Sequence, residues 1–327
     1  MRALLLLAVL VAACAPSPAP VEPLRFTAVT FNTGTSEGLP WTPDGGYGPQ
    51  QAALSDQFYG DGLAWLPAVE NTTRFFAAVQ PDVVAFQEIF HPGDCPSIPV
   101  DGGTGFLCET WRPGDPTVAQ RVLGAGYQVA CNLGKPDKCL GVKKTFGAIR
   151  GCAAELCLDG LAGARVDGCG SGSRVGRGVI DFPDGGALTV VTVHGTSGLS
   201  APDMDCRARQ VDQVFVDFGL GDGPAANGSP ALILGDFNTD PGRFGPADTS
   251  AVRWRDFAGP RKPFHFVTAM GQDVPASYGG LFNIDHVVSD VLEGSCWIAG
   301  VTDGHPDVND FVYFDHTPHV CTVELPR

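Results

Sequence analysis

The sequence predicts an α/β fold, with one sheet or two packed sheets covered by helices. Three observations lead there. Apolar runs of strand length recur along the chain, and segments of helical periodicity alternate with them. After Leu24 neither an internal repeat nor a polar linker divides the chain, so roughly 300 residues are left for one layered domain with a sizeable core, or two smaller ones.

The strand candidates, in order, are FTAVTF (26–31), DVVAF (82–86), ALTVVTV (187–193), ALILG (231–235), DHVV (285–288) and HVCTVEL (319–325). They are near-continuous apolar runs of the kind a strand buried on both faces requires. Between the first two, PAVENTTRFFAAV (67–79) places Val69, Thr72, Phe76 and Val79 on one helical face. Between the third and fourth, APDMDCRARQVDQVFVDF (201–218) steps through Met204, Ala208, Val211, Phe215 and Phe218. Ser200 with Asp203 forms the capping-box start of that helix, and Arg207 and Arg209, off its apolar stripe, are expected in solvent.

The chain opens MRALLLLAVLVAACAPSP: one basic residue, an apolar run too short to span a membrane, then small residues ending at a cysteine. The pattern resembles a bacterial lipoprotein signal over residues 1–13, with Cys14 as the lipidated residue. An ordinary secretory signal is the alternative, and both export the protein. Residues 14–24 have the Pro/Ala composition of an extended tether. Apart from Cys14, ten of the 11 cysteines remain, an even number with no C-x-x-C pair. Up to five disulfides are therefore expected in place of a structural zinc site, with connectivity that spacing does not reveal. Seven of the ten fall between Cys95 and Cys169, which reads as a disulfide-stapled loop insertion at about 91–178 in a domain spanning 25–327.

The formal charge of −15 does not suggest a general polyanion binder. Lys135 to Arg177 departs from it, with four Lys and four Arg against four acids, a net +4. That segment reads either as a solvated loop or as a basic lip over a phosphate site, with Arg150 the candidate phosphate contact.

Polar residues stand at the strand ends. The first four runs give way to Asn32, to Gln87-Glu88, to His194, and to Asp236 with Asn238; Asp285 and Asp315-His316 precede the last two. If the later strands run antiparallel to the earlier ones, these groups converge on one rim, where sites are built. In GDFNTDP (235–241) the side chains of Asp236 and Asn238 point the same way on a strand, although Gly, Asp, Asn and Pro also suit a turn. Hard oxygen donors such as Glu88 and Asp315 suit Mg²⁺, with Mn²⁺ or Ca²⁺ as other occupants. Asp236 could then deprotonate a water positioned by Asn238, while His194 or His316 donates to charge developing at phosphorus.

TFNTG (30–34), FQEIF (86–90), VVTVHGTSG (190–198), ILGDFNTDP (233–241), NIDHVVSD (283–290) and FDHTPHV (314–320) resemble, in order, the boxes of the endonuclease/exonuclease/phosphatase superfamily. These are the DNase I-like deoxyribonucleases, abasic-site endonucleases, neutral sphingomyelinases and inositol polyphosphate phosphatases. The resemblance implies a four-layered α/β sandwich and Mg²⁺-dependent cleavage of phosphate esters. It implies Glu88 as the metal carboxylate, supported by Asn32 and Asp315. It further implies His194 as the acid beside the phosphate, Asp236 and Asn238 as the water-positioning pair, His316 as phosphate clamp or base, and Asp285 as its orienting carboxylate. Three boxes depart from the family: Asn283-Ile284-Asp285-His286 stands for Arg-Ile-Asp-Tyr, His194-Gly195 for His-Leu, and Phe314-Asp315-His316 for Ser-Asp-His. The substrate subfamily is left open by these changes.

The expectation is an exported, membrane-tethered monomeric phosphodiesterase, with nucleic acid favoured over phospholipid because of the basic segment. A sphingomyelinase would need an apolar element for lipid, for which Tyr278 to Phe282 is the short candidate. A small-molecule phosphatase and a non-catalytic surface binding protein are the remaining alternatives. A Ser hydrolase lacks its G-x-S-x-G, and Glu88-x-x-His91 lacks the second copy that a di-iron helix pair needs.

Overall fold

The computed structural model describes residues 22–35, 49–60, 62–99, 105–219, 221, 223–308 and 313–326. The expected signal segment, Cys14 and most of the expected tether lie outside the described residues. In chain order the elements are β1 (Leu24–Asn32), α1 (Pro49–Tyr59), α2 (Leu66–Val79), β2 (Val83–Gln87), a 3₁₀ turn (Pro92–Ser97), α3 (Leu107–Thr110), α4 (Val118–Leu123), β3 (Tyr127–Asn132), β4 (Lys135–Lys143), β5 (Ala148–Ile149), β6 (Leu156–Gly163), β7 (Val175–Asp181) and β8 (Ala187–His194). They continue with α5 (Ala201–Phe215), β9 (Ala231–Asp236), α6 (Thr249–Phe257), β10 (His265–Phe266), β11 (Asp285–Ser289), β12 (Glu293–Ile298) and β13 (His319–Leu325). Every run read as a strand from its apolar continuity is one.

The strands follow one hydrogen-bonded path, β10-β11-β9-β8-β7-β6-β3-β4-β2-β1-β13-β12, with β5 against β7. The path folds over at β6, whose first residues pair with β3 and whose last pair with β7. The two halves thus face each other across a core of Phe26, Ala28, Val83, Ala85 and Leu140 from one, and Leu188, Val190, Leu232, Leu234 and Val287 from the other. Behind the first half, Val29, Phe31, Val84 and Phe86 pack under Val69 and Phe76 of α2 and Val122 of α4. Behind the second, Val191, Ile233 and Val288 pack under Val211 and Val214 of α5 and Trp254 of α6. This is a four-layered α/β/β/α sandwich. Strands buried on both sides explain why their sequences read as unbroken apolar runs.

Three local expectations are corrected. The segment about 91–178 is no loop insertion, because β3, β4, β6 and β7 within it form the middle of the sheet path, with β4 on β2 and β7 on β8. Glycine-rich strands such as VGRGVID lack the apolar signature, and their pairing supplies what their side chains do not. Second, α5 keeps its Ser200/Asp203 capping box but buries Cys206, Arg207, Gln210, Val211, Gln213 and Val214, a face more polar than the one its apolar spacing indicates. Third, Arg207 is 1% exposed. Its guanidinium donates to the carbonyls of Thr196 (2.8 Å) and Gly198 (2.6 Å) and to Ser250 Oγ (3.0 Å), and lies 3.6 Å from Asp248. A loop with unpaired carbonyls needs such a donor, and only the fold shows where that loop runs.

All ten described cysteines pair, as Cys95–Cys108, Cys131–Cys139, Cys152–Cys157, Cys169–Cys206 and Cys296–Cys321. Among the described residues no helix is long and apolar enough to cross a membrane.

Candidate active site

Register brings the strand-end polar residues together. Parallel pairing aligns Asn32 with Gln87 and His194 with Asp236, while antiparallel pairing sets Asp285 opposite Asp236 and His319 opposite Thr30. Asn32, Glu88, His194, Asp236, Asn238, Asp285, Asp315 and His316 therefore share one rim of the sandwich, as the antiparallel expectation requires. Two of them, Glu88 (φ 56°) and Asn238 (φ 51°), hold the left-handed backbone region that non-glycine residues seldom adopt. Such backbone persists where neighbours fix it, and it concentrates at functional sites. Thr33 Oγ1 donates to the Glu88 carbonyl at 2.9 Å, and the Ile89 N–H donates to the Asp137 carbonyl at 3.0 Å, pinning Glu88 from both sides.

Asp236 is the centre of the arrangement. Its Oδ2 accepts from Asn238 Nδ2 at 2.8 Å and Asn32 Nδ2 at 3.0 Å, and its Oδ1 accepts from the Asn238 N–H at 2.7 Å. His194 Nε2 stands 3.6 Å and His316 Nε2 3.9 Å from the same Oδ2. Burial pushes the Asp236 carboxyl up to about 6, against the pull of His316. His194 Nε2 is also 3.3 Å from Glu88 Oε1. Burial first, then the charges of Lys138 and Arg174, hold the His194 imidazole well below its ordinary range.

His316 behaves in the opposite way. Burial alone would lower it, but Asp285, Asp315 and Asp236 surround it and keep it well above the usual imidazole value. Its Nδ1 bonds Asp285 Oδ2 at 2.8 Å, and the same oxygen accepts from Ser277 Oγ at 2.7 Å. Burial would raise Asp285, but His316 and these bonds hold it below the ordinary carboxylate range. Two buried imidazoles thus flank one buried carboxylate, one held neutral and the other protonated.

The donor set for a cation is testable from Gly34. The point where a Cβ on Gly34 would stand is closest to Glu88 Oε2, 2.9 Å from Asp315 Oδ1 and 3.3 Å from Asn32 Oδ1. Three oxygens from three chain segments converge there, and a glycine keeps their meeting point clear. Among the described residues no three His, Cys, Asp or Glu form a metal-holding group. Two carboxylates and one amide instead match a hard divalent ion that keeps water and substrate oxygens among its ligands. The residues fit such an ion.

Arg150 does not belong to this rim. It forms an exposed ion pair with Asp181, which pairs with Ala187 at the end of β8 remote from His194. The basic segment is split in the same way, since Lys143 ends β4 at the far edge while Lys135, Lys138 and Arg174 lie at the rim end of their strands. Lys138 is a site residue not singled out in the sequence. It is 2% exposed, paired with Asp137 at 2.7 Å, and its charge bears on both Glu88 and His194. Arg174 donates to the Gly195 carbonyl at 3.2 Å, and Ser277 braces Asp285; neither carried a sequence signal. The Asp137-Lys138 pair beside Cys139 was the one legible hint of a buried charge.

The box departures have physical roles. A Cβ at Gly195 would overlap the Phe237 carbonyl oxygen, so a glycine lets the GDFN turn pack against β8. His286 points away from the rim, packing against Phe237 and Phe266 with Nδ1 3.1 Å from Thr268 Oγ1. Phe314 fills the outer core against Phe31.

The model of the Endonuclease/Exonuclease/phosphatase family matches residues 29–321. No curated protein matches the chain. Among solved structures, the chain is similar to humanized TDP2 of D. rerio, at 12% identity and a TM-score of 0.51 over 91% of this chain and 98% of that one. It is similar to beta toxin from Staphylococcus aureus with bound magnesium ions, at 12% identity and a TM-score of 0.51 over 92% and 99%. It is also similar to ANGEL2, a 2′,3′-cyclic phosphatase, at 11% identity and a TM-score of 0.50 over 95% and 100%. At such identities the likeness is one of fold. With the family model reaching from β1 to β13, the protein belongs to the endonuclease/exonuclease/phosphatase family of phosphate-ester hydrolases.

Proposed function

We propose that the protein is an exported, Mg²⁺-dependent phosphodiesterase that hydrolyses nucleic acid, tethered to the cell envelope through Cys14. The observation that carries the chemistry is Asp236, raised to about 6 and flanked by two imidazoles of opposite charge state. A base must be ionised at working pH yet still want a proton, and this carboxylate meets both needs. Asn238 and Asn32 fix its orientation, so an attacking water is deprotonated in one place. The water oxygen forms the new bond to phosphorus as the P–O bond to the leaving group breaks in line. His316, protonated and held by Asp285, donates from Nε2 to a non-bridging phosphoryl oxygen as negative charge builds. His194 offers a neutral imidazole on the Glu88 side, with Lys138 adding positive field. A divalent ion on Glu88, Asp315 and Asn32 would polarise the phosphoryl group and stabilise the leaving oxygen. The magnesium ions in the beta toxin structure support Mg²⁺ as that ion.

Export is supported by five disulfides, which persist in oxidising compartments. Nucleic acid is favoured by Lys135, Lys138 and Arg174 at the rim. A lipid phosphodiester is the second reading. It is favoured by Leu281, 59% exposed in the turn beside His316, and Leu199, 76% exposed in the loop after His194. Cleavage of plasmid DNA by residues 24–327 in Mg²⁺, beside chelator and His194→Ala, separates the two. Nicking lost in both controls supports the nuclease, and cleavage of sphingomyelin but not DNA supports the lipid reading.

A further inference from the structure

We infer that the cleft beside Glu88 is a subsite for the phosphate next to the scissile one in a polynucleotide, with Lys135 as its cation. The inference rests on the nuclease reading above. The cleft encloses about 340 Å³. One wall is the end of the β3–β4 hairpin, Gly134 and the first residues of β4 to Asp137, and the other is Glu88 to His91 with Asp94, with Tyr59 and Gly60 at its end. Glu88 lines this cleft and also belongs to the cation cradle, so a group seated in the cleft is the immediate neighbour of the reacting phosphate.

The walls are built to hold their shape. Cys131–Cys139 closes the hairpin just below its turn, and the Ile89 N–H to Asp137 carbonyl bond ties the two walls together. Charge then selects the occupant. Asp137 is matched by buried Lys138, and Glu88 turns its Oε2 to the cradle. Asp94 lies exposed on the Glu88–Asp94 wall, which also carries His91. Lys135 forms no ion pair among the described residues, and its charge reaches Asp137, Lys138 and His194. Lys135 lines the cleft with a charge that also reaches His194, and its ammonium attracts a second anion of the substrate against the opposing charge of Asp94 on the facing wall. A substrate with a single phosphate has nothing to offer it, whereas a polynucleotide carries one phosphate per nucleotide.

The test uses the Asp236→Ala protein in Mg²⁺, which binds without cutting, and reads anisotropy of a fluorescent eight-nucleotide DNA strand across a salt series. Adding Lys135→Ala is expected to weaken binding about fivefold at 0.1 M salt and to lower the log–log salt slope by about 0.7, while Lys135→Arg keeps both. In the otherwise native protein, Lys135→Ala is expected to raise KM for the strand at least fivefold more than KM for bis(p-nitrophenyl) phosphate. An unchanged slope, no binding of the strand, or an equal loss on both substrates would overturn the subsite. Lys135-dependent binding with no turnover of any phosphate ester would instead sustain the subsite and remove the proposed activity.

Discussion

His316 Nδ1 meets Asp285 Oδ2 at 2.8 Å, and this bond occupies one of the two imidazole nitrogens. With Nδ1 committed, Nε2 is left 3.9 Å from both Asp236 Oδ2 and Asp315 Oδ1, facing the space between base and cation cradle. In the proposed mechanism Asp285 is an orienting group whose effect is exerted through His316.

Asp285→Asn keeps the shape of the side chain but removes the charge that holds His316 protonated and in place. The expected result is a loss of about 10³-fold or more in kcat with KM within threefold, measured on whichever phosphodiester the native protein cleaves. Ser277→Ala, which removes a brace on the same oxygen, should cost about tenfold. A proportionate rise in KM instead would place Asp285 in substrate binding.

Activity should have an acid limb set by Asp236. Its carboxyl is raised to about 6, so the ionised base is present above that pH and is lost as pH falls through it. A bound divalent cation favours the carboxylate and moves the limb only downward. The profile of log(kcat/KM) should therefore rise with unit slope to a plateau reached with a midpoint at or below about 6. Activity that still increases as the solution is acidified from about pH 6 downward would contradict the assignment of Asp236 as the base.

Glu88→Gln and Asp315→Asn each remove one charged oxygen from the cradle. Calorimetric titration with Mg²⁺ or Mn²⁺ should show affinity reduced at least about 10²-fold by either change. Asp181→Asn, at the far end of β7, serves as the control. Equal metal affinity in all three proteins would show that the ion binds elsewhere.

Arg207 ties the loop after His194 to α6. Arg207→Met leaves Asp248 and the carbonyls of Thr196 and Gly198 without their buried donor. A loss of about 3–5 kcal/mol in denaturant unfolding is expected, since one partner of a buried charge pair is removed. A change below about 1 kcal/mol would mean that water replaces the guanidinium.

The rim was legible because its residues sit at the ends of buried strands, where a continuous apolar run stops at a polar group. Asn32, His194 and Asp236 needed only strand direction and register to meet. Arg150 was misplaced because chain proximity to a basic segment does not say which end of a hairpin a residue occupies, and β5 pairs with the Asp181 end of β7. Lys138 escaped notice because its burial depends on Asp137 and on strands brought from either side. The strands of the cysteine-rich segment were hidden for a related reason. Their glycines and charges are acceptable only once neighbouring strands cover them.

If Asp236 is the base of a metal-dependent phosphate-ester hydrolase, removing its carboxylate abolishes turnover in a protein that still folds. The measurement is turnover of DNA, RNA, sphingomyelin and bis(p-nitrophenyl) phosphate by the native protein and by Asp236→Ala, with Mg²⁺ and with chelator, alongside the thermal unfolding of each. At least one ester should be cleaved by the native protein in Mg²⁺, and none with chelator or by a fully folded Asp236→Ala. Equal turnover by the two proteins would contradict that role for Asp236.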